Sequence, residues 1–290
     1  MRVVGLVAIA TLCCAFLRPT NAATPPAHRV AADHVTVELV TETKTLQPGS
    51  RAWVGMVFRH EPHWHTYWMN PGDSGLPTRL EWQLPTGFRA GDMAWPAPQR
   101  FDLGGLYNFG YDGTILLPIP IDVPIDAQPN TTVALNVNAK WLICNDVCIP
   151  GKASLRVDVP VSRERAVLDQ TSSRLFADAR ANKPANAAWQ GRAQLKGHRV
   201  LIELQGAGLP SATGLDVFAT QPKLVSNAPM KIARRGDALI VDAEQSEYFE
   251  SAPATLTLVL TQPPVGRDTA RSWQVQVPWL GNASTKTPVK

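Results

Sequence analysis

Between Val133 and Trp141 every second residue is apolar (Val133, Leu135, Val137, Ala139, Trp141), with Asn136, Asn138 and Lys140 among the residues between. A period of two marks a half-buried strand; an amphipathic helix would repeat near every 3.6 residues. The strand leads directly into Cys144-Asn145-Asp146-Val147-Cys148-Ile149-Pro150-Gly151, so the fold must accommodate two nearby cysteines at its end.

The same alternation recurs in Val35/Val37/Leu39, in Leu80/Trp82/Leu84 and in Leu155/Val157/Val159/Val161. Over 51–60, Ala52, Val54, Met56 and Phe58 share one face and Trp53 and Val57 the other. Residues 115–123 have strand composition, but Pro118 and Pro120 cannot donate to a ladder, which predicts a position at a sheet edge. Segments 60–77 and 87–113 carry enough Pro and Gly to read as irregular. Short strands punctuated by turns such as Gln47-Pro48-Gly49-Ser50 predict an all-β fold, with an immunoglobulin-like β-sandwich over 34–161.

The period then changes. Leu168, Ser172, Leu175, Phe176 and Ala179 stand at helical spacing and Asn182-Lys183-Pro184 ends the pattern, predicting a helical linker over 162–184. Alternation returns in Val200/Ile202/Leu204, Leu215/Val217/Ala219, Leu256/Leu258/Leu260 and Trp273/Val275/Val277. These runs predict a second, smaller β domain over 185–280. A Pro- and Ala-rich lead (23–33) is read as disordered, and the polar tail 281–290 as frayed.

The N-terminus has a basic start at Arg2, an apolar run from Val3 to Leu17 and small residues at Thr20 and Ala22, the pattern of a secretory signal peptide over 1–22. The run is shorter than the roughly 20 residues of a spanning helix. Cys13 and Cys14 would leave with it, and neither follows a Leu by three positions as a lipid-attachment site would require. Of the four cysteines, Cys144 and Cys148 then remain, in a chain expected to meet an oxidising compartment where disulfides persist. The formal charge of +4 falls to +2 once Arg2 and Arg18 are removed, and no clustered basic surface of the kind that binds nucleic acid is present.

The cysteine spacing admits three uses: a staple, a metal site or a working thiol/disulfide couple. Residues four apart on a strand are separated by roughly 13 Å, whereas a disulfide needs Cα atoms within roughly 7 Å. A bridge therefore requires Asn145-Asp146-Val147 to turn, which Asn and Asp favour. Closing so short a loop contributes only about 2 kcal/mol on a chain-entropy model, which weakens the case for a staple. Asp146 tends to raise the thiol pKa values, and Lys140 and Lys152 flank the pair. His60, His63 and His65 with Met69 have the chemistry of a copper site, although spacing in an irregular segment does not establish one. The competing reading packs Trp64, Tyr67 and Trp68 over the sheet or the cysteines and leaves the histidines as polar rim. Tyr107, Phe109 and Tyr111 read as core or loop packing that could also shield the pair.

Taken together, His63-Trp64-His65-Thr66-Tyr67-Trp68, Asn70-Pro71-Gly72-Asp73-Ser74-Gly75-Leu76-Pro77, Trp95-Pro96, the segment from Tyr107 to Tyr111, Trp141-Leu142-Ile143-Cys144 and Cys148-Ile149-Pro150-Gly151 form a pattern. It resembles the exported N-terminal region of the DsbD and ScsB thiol:disulfide interchange proteins over about residues 34–161. The helix and second β domain look like the continuation in the ScsB branch. The resemblance implies that Cys144 and Cys148 are the redox couple, with no cofactor. It further implies electron donors that are thioredoxin-like and membrane-embedded, and exported disulfide-bearing substrate proteins as acceptors. The 290 residues show neither membrane segments after the signal nor a thioredoxin-like domain. On this reading the reductant belongs to another polypeptide, or the sequence is part of a longer protein, or the activity has drifted.

Overall fold

The computed structural model describes residues 27–263 and 271–280. The expected signal peptide and tail lie outside these residues. The first β region contains β1 (Arg29–Ala32), β2 (Val35–Thr41), β3 (Arg51–His60), β4 (His65–Gly72), β5 (Arg79–Gln83), β6 (Arg89–Ala90), β7 (Gln99–Leu103), β8 (Leu106–Tyr111), β9 (Thr114–Asp122), β10 (Thr132–Cys144) and β11 (Cys148–Pro160). A single described helix, α1 (Ser173–Ala181), follows. The second β region contains β12 (Ala185–Asn186), β13 (Gln190–Lys196), β14 (Arg199–Gln205), β15 (Asp216–Ala219), β16 (Lys231–Arg235), β17 (Ala238–Glu244), β18 (Thr255–Gln262) and β19 (Arg271–Leu280).

Two sheets form the first sandwich, in orders β1-β2-β3-β9-β6 and β11-β10-β4-β8-β7, with β5 on β10 beside β4. The alternation read from sequence becomes the two walls of one core. Val37 and Leu39, Val54, Met56 and Phe58, and Ile119 and Ile121 face Trp68, Phe109, Leu135, Val137 and Trp141, all buried. Nearly every second side chain of β10 is thus removed from water, which contributes roughly 1.5–3 kcal/mol for each large one. The second β region has its own core, built from Val200, Ile202, Leu204, Val217, Leu258, Leu260, Val275 and Val277.

The prolines of β9 are placed as their chemistry requires. Gly91 and Ala94 donate their backbone N–H groups to the carbonyls of Pro120 and Pro118. These carbonyls point away from β3, so the missing proline N–H groups lie on the same outer side, where the two-residue β6 covers only the end of the strand.

Several expectations from sequence are corrected. The lead is not disordered throughout: Val30 and Ala32 alternate within β1, which pairs antiparallel with β2. Segment 60–77 supplies β4, an interior strand, and 87–113 supplies the β7–β8 hairpin. Their ladder partners come from β10 and from each other, so Pro71 and the glycines are absorbed at a bulge between Tyr67 and Gly72. The linker over 162–184 also packs on the first β region. Its helix is shorter than the periodicity suggested, with Leu168 in a bridge to Thr43, and it buries Phe176 and Ala179 against Val57 and Leu116 on the outer face of the first sheet. Truncating Phe176 to Ala should therefore lower stability by about 3 kcal/mol, measured by chemical denaturation; a loss under about 1 kcal/mol would mean that the helix is not bound there.

Candidate functional site

β10 and β11, 13 residues each, form an antiparallel hairpin whose last register pair is Cys144 opposite Cys148. Asn145, Asp146 and Val147 make the tip, with the Asn145 N–H donating to the Val147 carbonyl. The turn brings the Cα atoms to 4.2 Å and the two sulfurs are bonded as a disulfide. The expected closure at a hairpin tip is what the chain adopts.

The two sulfurs differ in environment. Cys144 is 0% exposed, whereas Cys148, just after the turn, is exposed. Tyr67 of β4 explains part of the difference. Its hydroxyl donates to Cys144 Sγ at 2.8 Å and lies 3.3 Å from Cys148 Sγ. Burial pushes the Tyr67 phenol above its ordinary pKa, opposed by a hydrogen bond with Ser74, so it stays a proton donor at neutral pH.

Residues 73–77 cross over Tyr67 as a strap. A Cβ on Gly75 would lie 2.2 Å from Tyr67 Cε1, and its φ of +95° is open mainly to glycine. The strap is tied down at Ser74, whose N–H and hydroxyl both reach Asn108 Oδ1 at 3.1 and 3.0 Å. Asp73 accepts from the Tyr107 N–H at 2.7 Å and from Asn227 Nδ2 of the second β region at 2.8 Å. On the opposite face of the hairpin, Trp141 lies across Gly151, its cross-strand partner, where any Cβ would come within 2.3 Å of the indole. Only glycine fits there, so the Cys-Ile-Pro-Gly run ends at a position set by packing.

The aromatic residues of this segment separate into different roles. Tyr67 covers the disulfide, Trp68 enters the core, and Trp64 stacks on His34 with ring centroids 3.8 Å apart. Phe109 and Tyr111 are core residues, and the shielding of the sulfurs falls to Tyr67 and the strap. The histidines are not a uniform polar rim. His63 is exposed on a turn with φ of 70°, while His65 is 1% exposed, stacked on Phe101 at 4.4 Å and opposite Cys144 in the ladder. Met69 is half-buried and packs on the sandwich core. Among the described residues no three His, Cys, Asp or Glu side chains converge as a metal site.

Burial, reinforced by nearby His60 and opposed by Asp112, lowers the His65 pKa from 6.5 to about 4. Its Nε2 is buried without a partner. The unfolded chain therefore binds a proton that the folded chain refuses between these two values, and stability falls as pH drops through that window. We expect a loss of about 2 kcal/mol between pH 7 and pH 5 from this residue. Equilibrium unfolding at both pH values, compared with His65→Phe, checks this; an identical pH slope in the variant would refute it.

Residues 33–160 match the family model described as thiol:disulfide interchange protein DsbD, N-terminal. This segment is a DsbD N-terminal domain. The match spans both sheets of the sandwich and the whole β10–β11 hairpin. The crystal structure of the N-terminal periplasmic domain of ScsB from Proteus mirabilis superposes with a TM-score of 0.65 at 19% identity, covering 86% of this chain and 97% of that one. Its coverage shows that the fold extends past the DsbD N-terminal domain into the second β region. A protein of unknown function from Porphyromonas gingivalis W83 aligns over 83% of this chain and 99% of its own at 13% identity, but its TM-score of 0.25 supports no argument. No curated protein sequence matches the chain. Among the described residues no helix is long and apolar enough to cross a membrane.

The sequence offered Tyr67, together with Trp64 and Trp68, as a cover for the sheet or the cysteines without singling it out. Its position one strand period from His65, inside the His-Trp-His-Thr-Tyr-Trp run, is a signal only once β4 is known to lie beside β10.

Proposed function

We propose that this is a periplasmic thiol:disulfide oxidoreductase in which Cys144 and Cys148 relay two electrons between partner proteins. The observation that carries the reading is the asymmetry of the pair: an exposed Cys148 bonded to a buried Cys144 that receives the Tyr67 hydroxyl. It is supported by membership of the DsbD N-terminal family, whose description is thiol:disulfide interchange. In this reading the signal over 1–22 exports the chain. The units 34–161 and 185–280 are domains joined by 162–184, with the chemistry confined to the first. The donors are thioredoxin-like or membrane-embedded dithiol proteins and the acceptors are exported proteins with disulfides.

The donor thiolate attacks Cys148 Sγ, because substitution at sulfur needs access along the bond being broken and Cys144 is covered. The Cys144–Cys148 bond breaks and Cys144 leaves as a thiolate, stabilised by the Tyr67 hydroxyl and then protonated. The donor's second thiolate attacks the mixed disulfide at the donor sulfur, releasing Cys148. The donor has become a disulfide and this pair a dithiol, a transfer of two electrons and two protons. In the onward step the Cys148 thiolate attacks the acceptor disulfide and Cys144 resolves the mixed disulfide.

Equilibration of the mature protein against dithiothreitol or glutathione buffers tests the reading. A midpoint above about −300 mV, the range of labile and catalytic disulfides, is expected; a much lower value would identify a staple. Tyr67→Phe should slow opening of the disulfide by a thiol about tenfold, the worth of one hydrogen bond to a developing charge. Stopped-flow measurement of thiol reduction checks this, and an unchanged rate would remove Tyr67 from the mechanism.

A further inference from the structure

On the outer face of the hairpin, successive register pairs form three rungs: Cys144 with Cys148, Leu142 with Pro150, and Lys140 with Lys152. Cross-strand partners project to the same side, and rungs two residues apart are separated by roughly 6.7 Å. β5 extends the last rung, since Arg79 pairs with Lys140. Three exposed cations therefore stand side by side across three strands. Like charges directly opposite each other oppose sheet formation, and only Lys140 is compensated, by Glu81 at 2.7 Å. Arg79 and Lys152 have no ion-pair partner among the described residues.

The middle rung is the floor of a groove of about 600 Å³. It exists because β4 leaves β10 after Ile143 while β5 joins only at Lys140, and the strap rises between them. The strap contributes Pro77 and Leu76, the latter 58% exposed; at the hairpin tip Val147 is 61% exposed. An apolar groove thus begins one rung from the accessible sulfur, and a cationic row with two of its three charges uncompensated lies two rungs, roughly 13 Å, beyond it.

Resting on the redox reading above, we propose that the electron partner binds here as an extended segment in which its reacting cysteine is followed, in either chain direction, by an apolar residue two positions away and a carboxylate four positions away. The cysteine meets Cys148, the apolar side chain enters the groove against Leu142, Pro150 and Leu76, and the carboxylate reaches the row of Arg79, Lys140 and Lys152. Charge complementarity selects an acidic partner over a basic one. Folding gains nothing from the like-charge row, and its spacing from the sulfur matches the strand repeat of a bound segment.

The test uses the oxidised mature protein and synthetic peptide thiols: Cys-Ser-Leu-Ser-Glu, Cys-Ser-Leu-Ser-Lys, Cys-Ser-Ser-Ser-Glu and the three reversed sequences, all with blocked termini. The peptide thiolate attacks Cys148, the disulfide breaks and Cys144 leaves as a thiolate; mass spectrometry follows the mixed disulfide. At low ionic strength the Leu/Glu peptide in one direction should react at least fivefold faster than its Lys and Ser counterparts. The Glu/Lys ratio should approach one at about 0.5 M salt, where charges are screened beyond a few ångströms. In Arg79→Glu/Lys152→Glu the Glu/Lys preference should invert while the rate with 2-mercaptoethanol is unchanged. Equal rates for the Glu and Lys peptides at low salt in both directions would overturn the proposed docking while leaving the redox function standing. A disulfide that 2-mercaptoethanol also fails to open would instead overturn the redox reading, and this proposal with it.

Discussion

Replacing Cys144 with serine should turn the mature protein into a trap that accumulates mixed disulfides at Cys148, whereas replacing Cys148 should leave a nearly inert thiol. Cys148 is exposed, so as a lone thiol it can attack a partner disulfide, and without Cys144 nothing resolves the product. Cys144 is fully buried beneath Tyr67 and the strap, so in Cys148→Ser its reaction with iodoacetamide should be about a hundredfold slower than that of Cys148 in Cys144→Ser. Both variants should lose the two-electron exchange completely and lose about 2 kcal/mol of stability at most, because the bridge closes only a short loop. Alkylation rates and non-reducing electrophoresis of exported extracts read both effects. Equal reactivity of the two lone thiols would remove the basis for naming Cys148 as the attacked sulfur.

The second large effect should come from a residue far from the sulfurs. Arg100, on β7, is the main polar link between the two β regions. Its Nη2 and Nε bind the Asp216 carboxylate at 2.6 and 3.0 Å, it donates to the carbonyls of Val217 and Asn227, and its guanidinium lies 4.8 and 4.9 Å from the rings of Phe109 and Phe218. The arginine side chain is 8% exposed. Arg100→Met would leave the partly exposed Asp216 carboxylate with only the Val217 N–H as partner, which costs about 2–3 kcal/mol once its solvent access is discounted. Calorimetry should show a lower melting temperature and separation of one transition into two. Arg100→Met/Asp216→Leu should recover part of the loss, since removing both charges leaves none stranded. A loss below about 1 kcal/mol for the single variant would show that the regions are not coupled through this contact. The strap over the disulfide is also held by Asn227 from the second region, so Arg100→Met should raise the rate at which a small thiol opens the disulfide.

How much was legible in sequence depends on whether the determining interaction is local. The alternation from Val133 to Trp141 and the turn at Asn145 and Asp146 are local properties, and each appears in the fold; the Pro118/Pro120 strand is one place in from the edge, with the two-residue β6 outside it. β4 and β8 were not legible, because Pro71, Gly72 and Gly110 obscure the period; these strands exist because β10 and β7 supply their hydrogen-bond partners from distant sequence. His65 looked like a rim residue for the same reason. Its burial is set by Phe101 and by its place opposite Cys144, neither of which its own neighbours reveal.

For the cysteine pair the division is equally physical. Sequence by itself determined that Cys144 and Cys148 stand at the end of a strand, separated by residues that can turn, and that the motifs around them follow the DsbD and ScsB pattern. Tertiary structure alone decided which sulfur is covered. In a two-stranded hairpin tip both would be open to water, and the distinction arises when Tyr67 on β4 and the strap at 73–77, more than sixty positions earlier in the chain, are laid over the pair: the Tyr67 hydroxyl reaches both sulfurs, but only Cys144 is fully buried. Burial depends on contacts between segments distant in sequence, and no local pattern of residues specifies it.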